Sequence, residues 1–163
     1  MPANQLFTDW VSGDLITAAK LNNMKNNLLA GRGAGADMNA TSTSVPNSTT
    51  TSLSFNRELY DTDTFFAPTS TNFTVPTGMA GRYLISGFVQ FGLSATGATR
   101  LASIFVNGVT IANAHAPVSA TNSYCTISKI ITLADADVVT LRALQDSGAA
   151  MNVIGSLDLL KIG

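Results

Sequence analysis

The stretch from Arg82 to Gly92 has a side-chain period of two. Tyr83, Ile85, Val89 and Phe91 fall on one face, and Leu84, Ser86, Phe88 and Gln90 fall on the other. Successive side chains of a strand point to opposite faces, so this spacing predicts a strand. Both of its faces are partly apolar. A sandwich sheet needs only one face covered by its own core, so such a strand asks for a second cover from outside the sandwich.

The same period recurs over residues 52–59, 71–75, 123–133, 137–145 and 151–162. Residues 100–112 carry the clearest hairpin signal. Asn107 and Gly108 suit a two-residue type I′ turn, whose two central positions need positive φ, and β-rich segments flank them. With the hairpin pair and residues 82–92 this makes about eight strands, at the spacing of a sandwich. The expected fold is all-β, an antiparallel jelly-roll head over residues 55–163.

Two other zones precede it. Residues 1–30 read as a docking arm and helix. Phe7, Trp10 and Val11 lie on an extended arm with nothing local to pack on, and Thr17 caps a helix that ends before Gly31. Ala18, Leu21, Met24 and Leu28 form its apolar stripe. A helix this short and rich in Asn needs a partner surface to form, so Phe7, Trp10, Val11, Leu21, Met24 and Leu28 are the expected docking contacts. Residues 31–54 are expected to be a linker: a flexible glycine joint, then a stretch, residues 39–54, in which ten of sixteen residues are Ser or Thr. That stretch is either a free tether or a strand laid along another subunit, and its β-branched Thr residues favour the strand.

Composition narrows the function. Charged residues make up 12% of the 163, where about 25% is usual, while 45% are hydrophobic. A net charge of -1 excludes the broad basic footprint of a nucleic-acid binder. No apolar run approaches the length of a membrane span, and the first residues have no export-signal pattern, so neither membrane insertion nor secretion is expected. Cys125 and His115 are each the sole residue of their type, which excludes an intrachain disulfide and any His or Cys cluster within one chain.

No catalytic constellation emerges. His115 has no nucleophile motif to serve, and only a threefold axis could gather copies of it into a metal or pH-sensitive cluster. The pairs Asp61/Asp63 and Asp135/Asp137 have alternating carboxylates but lack the glycine and terminal Glu of a calcium loop, so they read as solvated turns. Glu58 is the only Glu, and no second acid is placed opposite it for glycosidase chemistry. Cys125 reads as a small buried hydrophobe. The chain is expected to be non-enzymatic, with no metal and no cofactor.

Two resemblances add to this reading. Residues 73–91, 100–112 and 126–144 resemble the jelly-roll head shared by complement-type globular domains and the tumour-necrosis-factor superfamily. Phe73, Thr74, Val75 and Pro76 lead into a Gly-x-Tyr strand, and Arg100 leads a strand into the Asn107-Gly108 turn. Ala136-Asp137 stands where that pattern has Gly-Asp. Residues 7–29 resemble the leader of minor structural proteins of tailed bacteriophages, with an aromatic arm, Trp10-Val11 before Gly13-Asp14, a Thr17-Ala18-Ala19 cap and a Leu-Asn helix. Heads of the first kind are homotrimers, so the resemblances together imply a homotrimeric virion component, assembled in the host bacterial cytoplasm and docked on capsid or tail proteins by its N-terminus.

The leading expectation is a capsid decoration protein or short head fibre. The alternative is a minor tail protein or receptor-binding tip that recognises a host surface molecule. A free complement-like or cytokine-like ligand fits less well, for want of an export signal and a collagen-like stalk. The surplus of apolar strand positions is then explained by subunit contacts about a threefold axis.

Overall fold

The computed structural model describes residues 31–163 together with Thr17, Ala18 and Leu21. Eleven strands are present among them: β1 (Gly33–Asp37), β2 (Thr43–Val45), β3 (Thr51–Ser52), β4 (Arg57–Asp61), β5 (Phe73–Thr74), β6 (Gly81–Phe91), β7 (Arg100–Val106), β8 (Val109–His115), β9 (Ser123–Leu133), β10 (Val138–Gln145) and β11 (Met151–Lys161). They form two antiparallel sheets. The larger has the order β4-β1-β11-β6-β9 with β2 also on β11, and the smaller has β3-β10-β7-β8 with β5 also on β10. Neighbours far apart in sequence, such as β1 with β11 and β3 with β10, give the crossed-over connectivity of a jelly roll.

Seven of the eight strands expected from periodicity correspond to β5–β11, while the segment 52–59 is divided between the end of β3 and the start of β4, with residues 53–56 in no strand. In β6, Tyr83, Ile85, Val89 and Phe91 are fully buried between the sheets, as the alternation requires. The β7–β8 turn holds Asn107 at φ 50° and Gly108 at φ 79°, the left-handed pair of a type I′ hairpin. At the turn before β10, Ala136 takes φ 66° where the related pattern has glycine. The turn forms nonetheless, because Ala136 N–H donates to Val75 O at 2.8 Å and the Asp137 carboxylate accepts the Ala134 N–H at 2.7 Å. These bonds offset the roughly 1–2 kcal/mol that a Cβ costs in the left-handed region.

Residues 31–54 depart from the expected linker. The glycine-rich segment is β1, an inner strand of the larger sheet between β4 and β11. Ala34 and Ala36 point into the core with no exposure. The Ser/Thr-rich segment is neither a free tether nor, where it forms strands, laid on another subunit: β2 pairs with β11 and β3 with β10 of the same chain. Val45 and Leu53 are buried, and Gln145 Nε2 donates to Val45 O at 3.0 Å. Composition misleads here because extended backbone is satisfied by ladder hydrogen bonds from distant strands, whatever the local side chains.

The core is contiguous between the sheets. Phe55 packs edge-on against Phe66 and Phe73, which stack on each other at 4.9 Å. Leu141 of the smaller sheet fits a hollow left by two glycines of the larger one. A Cβ on Gly87 would lie 3.1 Å from its Cδ1, and one on Gly155 would lie 3.6 Å from its Cδ2. Such interlocking holds the two sheets at one separation. Cys125 is buried and burial pushes its thiol pKa up, in keeping with a packing role.

Of the N-terminal zone, Leu21 N donates to Thr17 O at 3.0 Å, the i to i−4 bond expected where Thr17 begins a helical turn. The remainder of the expected arm and helix lies outside the described residues.

Candidate subunit interface

Several of the described charged side chains bind the backbone of loops at the ends of the sandwich. Asp61 accepts the backbone N–H groups of Asp63, Phe65 and Phe66 at 3.0, 3.1 and 2.8 Å. Asp135 accepts those of Gly78 and Ala80 at 2.8 Å each, and these bonds hold its pKa below the usual carboxylate range. At the same end Lys161 is buried with Nζ 2.6 Å from Ala80 O, and Tyr83 donates to Met79 O at 2.6 Å. Burial and, secondarily, the charge of Asp63 push the Tyr83 phenol up to about 12. At the opposite end buried Arg100 donates to the carbonyls of Thr99, Ser94 and Thr96, with the Asp146 carboxylate 3.7 Å away. The two Asp pairs singled out in the sequence are thus loop caps. Among the described residues no group of three His, Cys, Asp or Glu could hold a metal ion, and no helix is long and apolar enough to cross a membrane.

On the outward face of the larger sheet, charges are few across β11, β6 and β9. Register places its side chains in rows across β11, β6 and β9: Leu160, Leu84 and Ile130 in one row, and Ile154, Gln90 and Tyr124 in another. Phe88 lies between these rows with Ser156 and Thr126 beside it, and its ring stacks on Tyr124 at 6.2 Å. Tyr124 and Ile130 are 54% and 52% exposed. Across these three strands Asp158 is the single acid, in a row with Ser86 and Ser128, and Arg82 stands at the end of β6.

Asp158 owes its place to a glycine. Gly35 of β1 faces Asp158 on one side and Tyr60 of β4 on the other. A Cβ there would meet Asp158 Oδ1 at 2.3 Å and Tyr60 Cε1 at 2.6 Å, so the two side chains meet over a strand that has none. Burial raises the Asp158 pKa, the hydrogen bond from Tyr60 works against it, and the neighbouring Asp37 charge adds to the rise. Tyr60 is raised in turn, by burial first and by Asp158 second. Next to them Arg57 and Asp37 pair bidentately, with Nε to Oδ1 at 2.7 Å. The face therefore sets apolar side chains among small neutral polar ones, with one screened carboxyl, Arg82 at its end and one internally matched ion pair at its β4 side.

The outward face of the smaller sheet is organised differently. The Arg142 guanidinium lies 4.0 Å over the Phe105 ring, and Ser103 Oγ donates to Asn113 Oδ1 at 2.6 Å. His115 stands exposed at the end of β8 on this sheet, not on the apolar face of the other. Of the expected docking residues, Leu21 is 52% exposed, and Phe7, Trp10, Val11, Met24 and Leu28 lie outside the described residues. The candidate face is legible only in part: the two-sided apolar pattern of residues 82–92 signals it, but the contribution of Gly35, Tyr60 and Asp158 has no local signal.

No family model matches the sequence, and no curated protein resembles it in sequence. Solved structures share its fold. The globular domain of a zebrafish complement 1qA protein superposes with a TM-score of 0.61 at 14% identity, covering 81% of this chain and 98% of that one. The vertex protein P5 of PRD1 gives 0.67 at 18% identity, covering 82% and 99%. Murine APRIL gives 0.56 at 14% identity, covering 77% and 98%. The chain is a jelly-roll sandwich that shares its fold with these three structures.

Proposed function

We propose that this chain is a structural protein of a tailed-phage virion, a homotrimer anchored by its N-terminal segment and decorating the capsid surface as a decoration protein or short head fibre. The observation that carries the assembly is the outward face of β11, β6 and β9, where Leu84, Phe88, Tyr124, Ile130, Ile154 and Leu160 share one nearly uncharged surface. Apolar fields of this kind mark subunit contacts. The virion setting is supported by the leader-like residues 7–29 and by the fold shared with PRD1 vertex protein P5.

Phe7, Trp10, Val11, Leu21, Met24 and Leu28 are the proposed anchor, residues 31–163 the projecting head. A particle carrying a version of the protein without residues 1–30 tests this. The truncated protein should sediment as a trimer and be missing from purified particles, whereas retention on particles would overturn the anchor. The second reading, a minor tail protein or receptor-binding tip, rests on the exposed loops around residues 116–122 and 146–150 at the ends of the strands. Copy number decides it, since a capsid decoration occupies many positions per particle and a tail tip only a few.

A further inference from the structure

The two ends of the sandwich carry different things. Gly31 and Gly163 stand at one end, where Gly31 N–H donates to Lys161 O and Arg82 N–H donates to Gly163 O, each at 2.6 Å. Residues 92–99, 116–122 and 146–150 close the other end, beyond Phe91, Ser123 and Met151. The eleven residues of β6 hold the two ends roughly 33 Å apart. The chain before Gly31 therefore joins the head opposite these loops, and an N-terminal anchor turns the loops away from the particle.

The loops are fixed from beneath. Arg100 is 1% exposed and donates to the carbonyls of Ser94, Thr96 and Thr99. Gln145, with no exposure, donates to Ala149 O and accepts the Ser147 N–H, both at 2.7 Å. Thr96 Oγ1 donates to Ser147 O at 2.7 Å, and a β-bridge pairs Ser94 with Ser119, so all three loops are tied together. Arg100 Nε is buried with no partner among the described residues, so the loops keep their shape at a cost in stability. A site ordered in advance loses little entropy when a ligand arrives.

Between the loops lies a cleft of ≈ 500 Å³, within the range of small-ligand sites, roughly 300–1,000 Å³. Thr96, Asn122, Ser147 and Asn152 supply polar lining, Leu93 and Met151 supply the large apolar groups, and no lining residue is charged. Asn47 and Asn107 use their side-chain oxygens on backbone, accepting from Gly148 N–H and Val138 N–H. The amides of Asn122 and Asn152 make no such bond among the described residues, and both border the cleft. A carboxamide offers a donor and an acceptor side by side, the pair that neighbouring sugar hydroxyls complement. Leu93, 69% exposed, gives the C–H face of a sugar ring an apolar contact, and one such leucine is too little to seat the aromatic or aliphatic anchor of a peptide.

We propose that this cleft binds a neutral, hydroxyl-rich saccharide of the host surface, with the Asn122 and Asn152 amides on the sugar hydroxyls and Leu93 against the ring. It rests on the N-terminal anchoring proposed above, which faces the cleft outward.

Retention of the full chain on immobilised dextran, galactan and chitin, with heparin as the anionic comparison and casein as the protein one, tests the site. The wild type should be retained on at least one neutral matrix and on neither heparin nor casein. Asn122→Ala and Leu93→Ser, neither at a buried position, should each weaken that retention about tenfold, as loss of one hydrogen bond or apolar contact does, while sedimenting like the wild type. Passage through every neutral matrix, preference for heparin, equal retention on casein, or undiminished binding by both variants would overturn the site. Protein that docks on particles yet holds no saccharide would remove this site and leave the anchored head standing. Particles that keep the protein without residues 1–30 would remove the anchor, while retention lost with Asn122→Ala would still mark the cleft.

Discussion

The outward faces of the two sheets solve the same problem in opposite ways. On the smaller sheet the polar and aromatic groups satisfy one another: Arg142 covers Phe105, and Ser103 bonds Asn113. On the larger sheet Leu84, Ile130 and Leu160 share a row with no polar partner in it, and charges elsewhere in the chain bind loop backbone instead. The two faces therefore differ in how their apolar groups are covered rather than in how many charges they carry, since Arg142 is the charged side chain on the outward face of the smaller sheet, and Asp158 and Arg82 are those across β11, β6 and β9.

The largest effect should come from placing a charge on the unprotected face. Phe88→Asp should raise the trimer dissociation constant by about 30-fold or more, through burial of an unpaired carboxylate among apolar contacts, while Arg142→Ala on the other sheet should leave sedimentation unchanged and cost only the ~0.5–1 kcal/mol of an exposed cation–π contact. Equal loss of assembly from both variants would erase the distinction between the faces. A smaller effect is expected where the faces are set up. Gly35→Ala forces Tyr60 and Asp158 apart, and thermal or chemical unfolding should show a loss of about 1–3 kcal/mol, the usual cost of overpacking. An unchanged stability would mean that both side chains swing clear without penalty.

The smallest effect is in pH. The folded pKa of Asp158 is raised, chiefly by burial, so its protonated form is favoured in the folded state. Its contribution is fully present below the ordinary carboxylate pKa of about 3.9 and is lost as pH rises through the raised value. Asp135 and Asp146, held below their usual range by backbone N–H groups, act the other way, with a contribution present above about 3.9 and lost as pH falls through their depressed values. Asp158→Asn, which keeps an acceptor for Tyr60, should therefore gain stability relative to the wild type as pH rises from about 4, and a difference that stays flat with pH would show that the carboxyl is not desolvated.

Much of the fold is legible in the residues, because a period of two needs no knowledge of neighbours. Strands β5–β11 and the Asn107-Gly108 turn follow from it, as does the fact that β6 is apolar on both sides. β1 is not legible. Its glycines look like a joint until Leu159, Tyr60 and Asp158 are seen occupying the space where side chains would be. The Asp61/Asp63 and Asp135/Asp137 pairs could be recognised as turn residues, yet their hydrogen-bond partners, Phe66 for one and Gly78 for the other, depend on how the loops close.

The sequence by itself determined which segments extend, which faces are apolar, and that the chain carries too few charges to solvate all of them. Only the tertiary structure decided which apolar faces the core consumes and which one is left over. Burial is a property of the whole packing, and the same alternation reads identically whether the second sheet lies above a strand or below it. Once β10 and β7 cover the inner face of β6, Leu84, Phe88 and Gln90 are turned outward, and the apolar surplus seen in the sequence is placed on one surface.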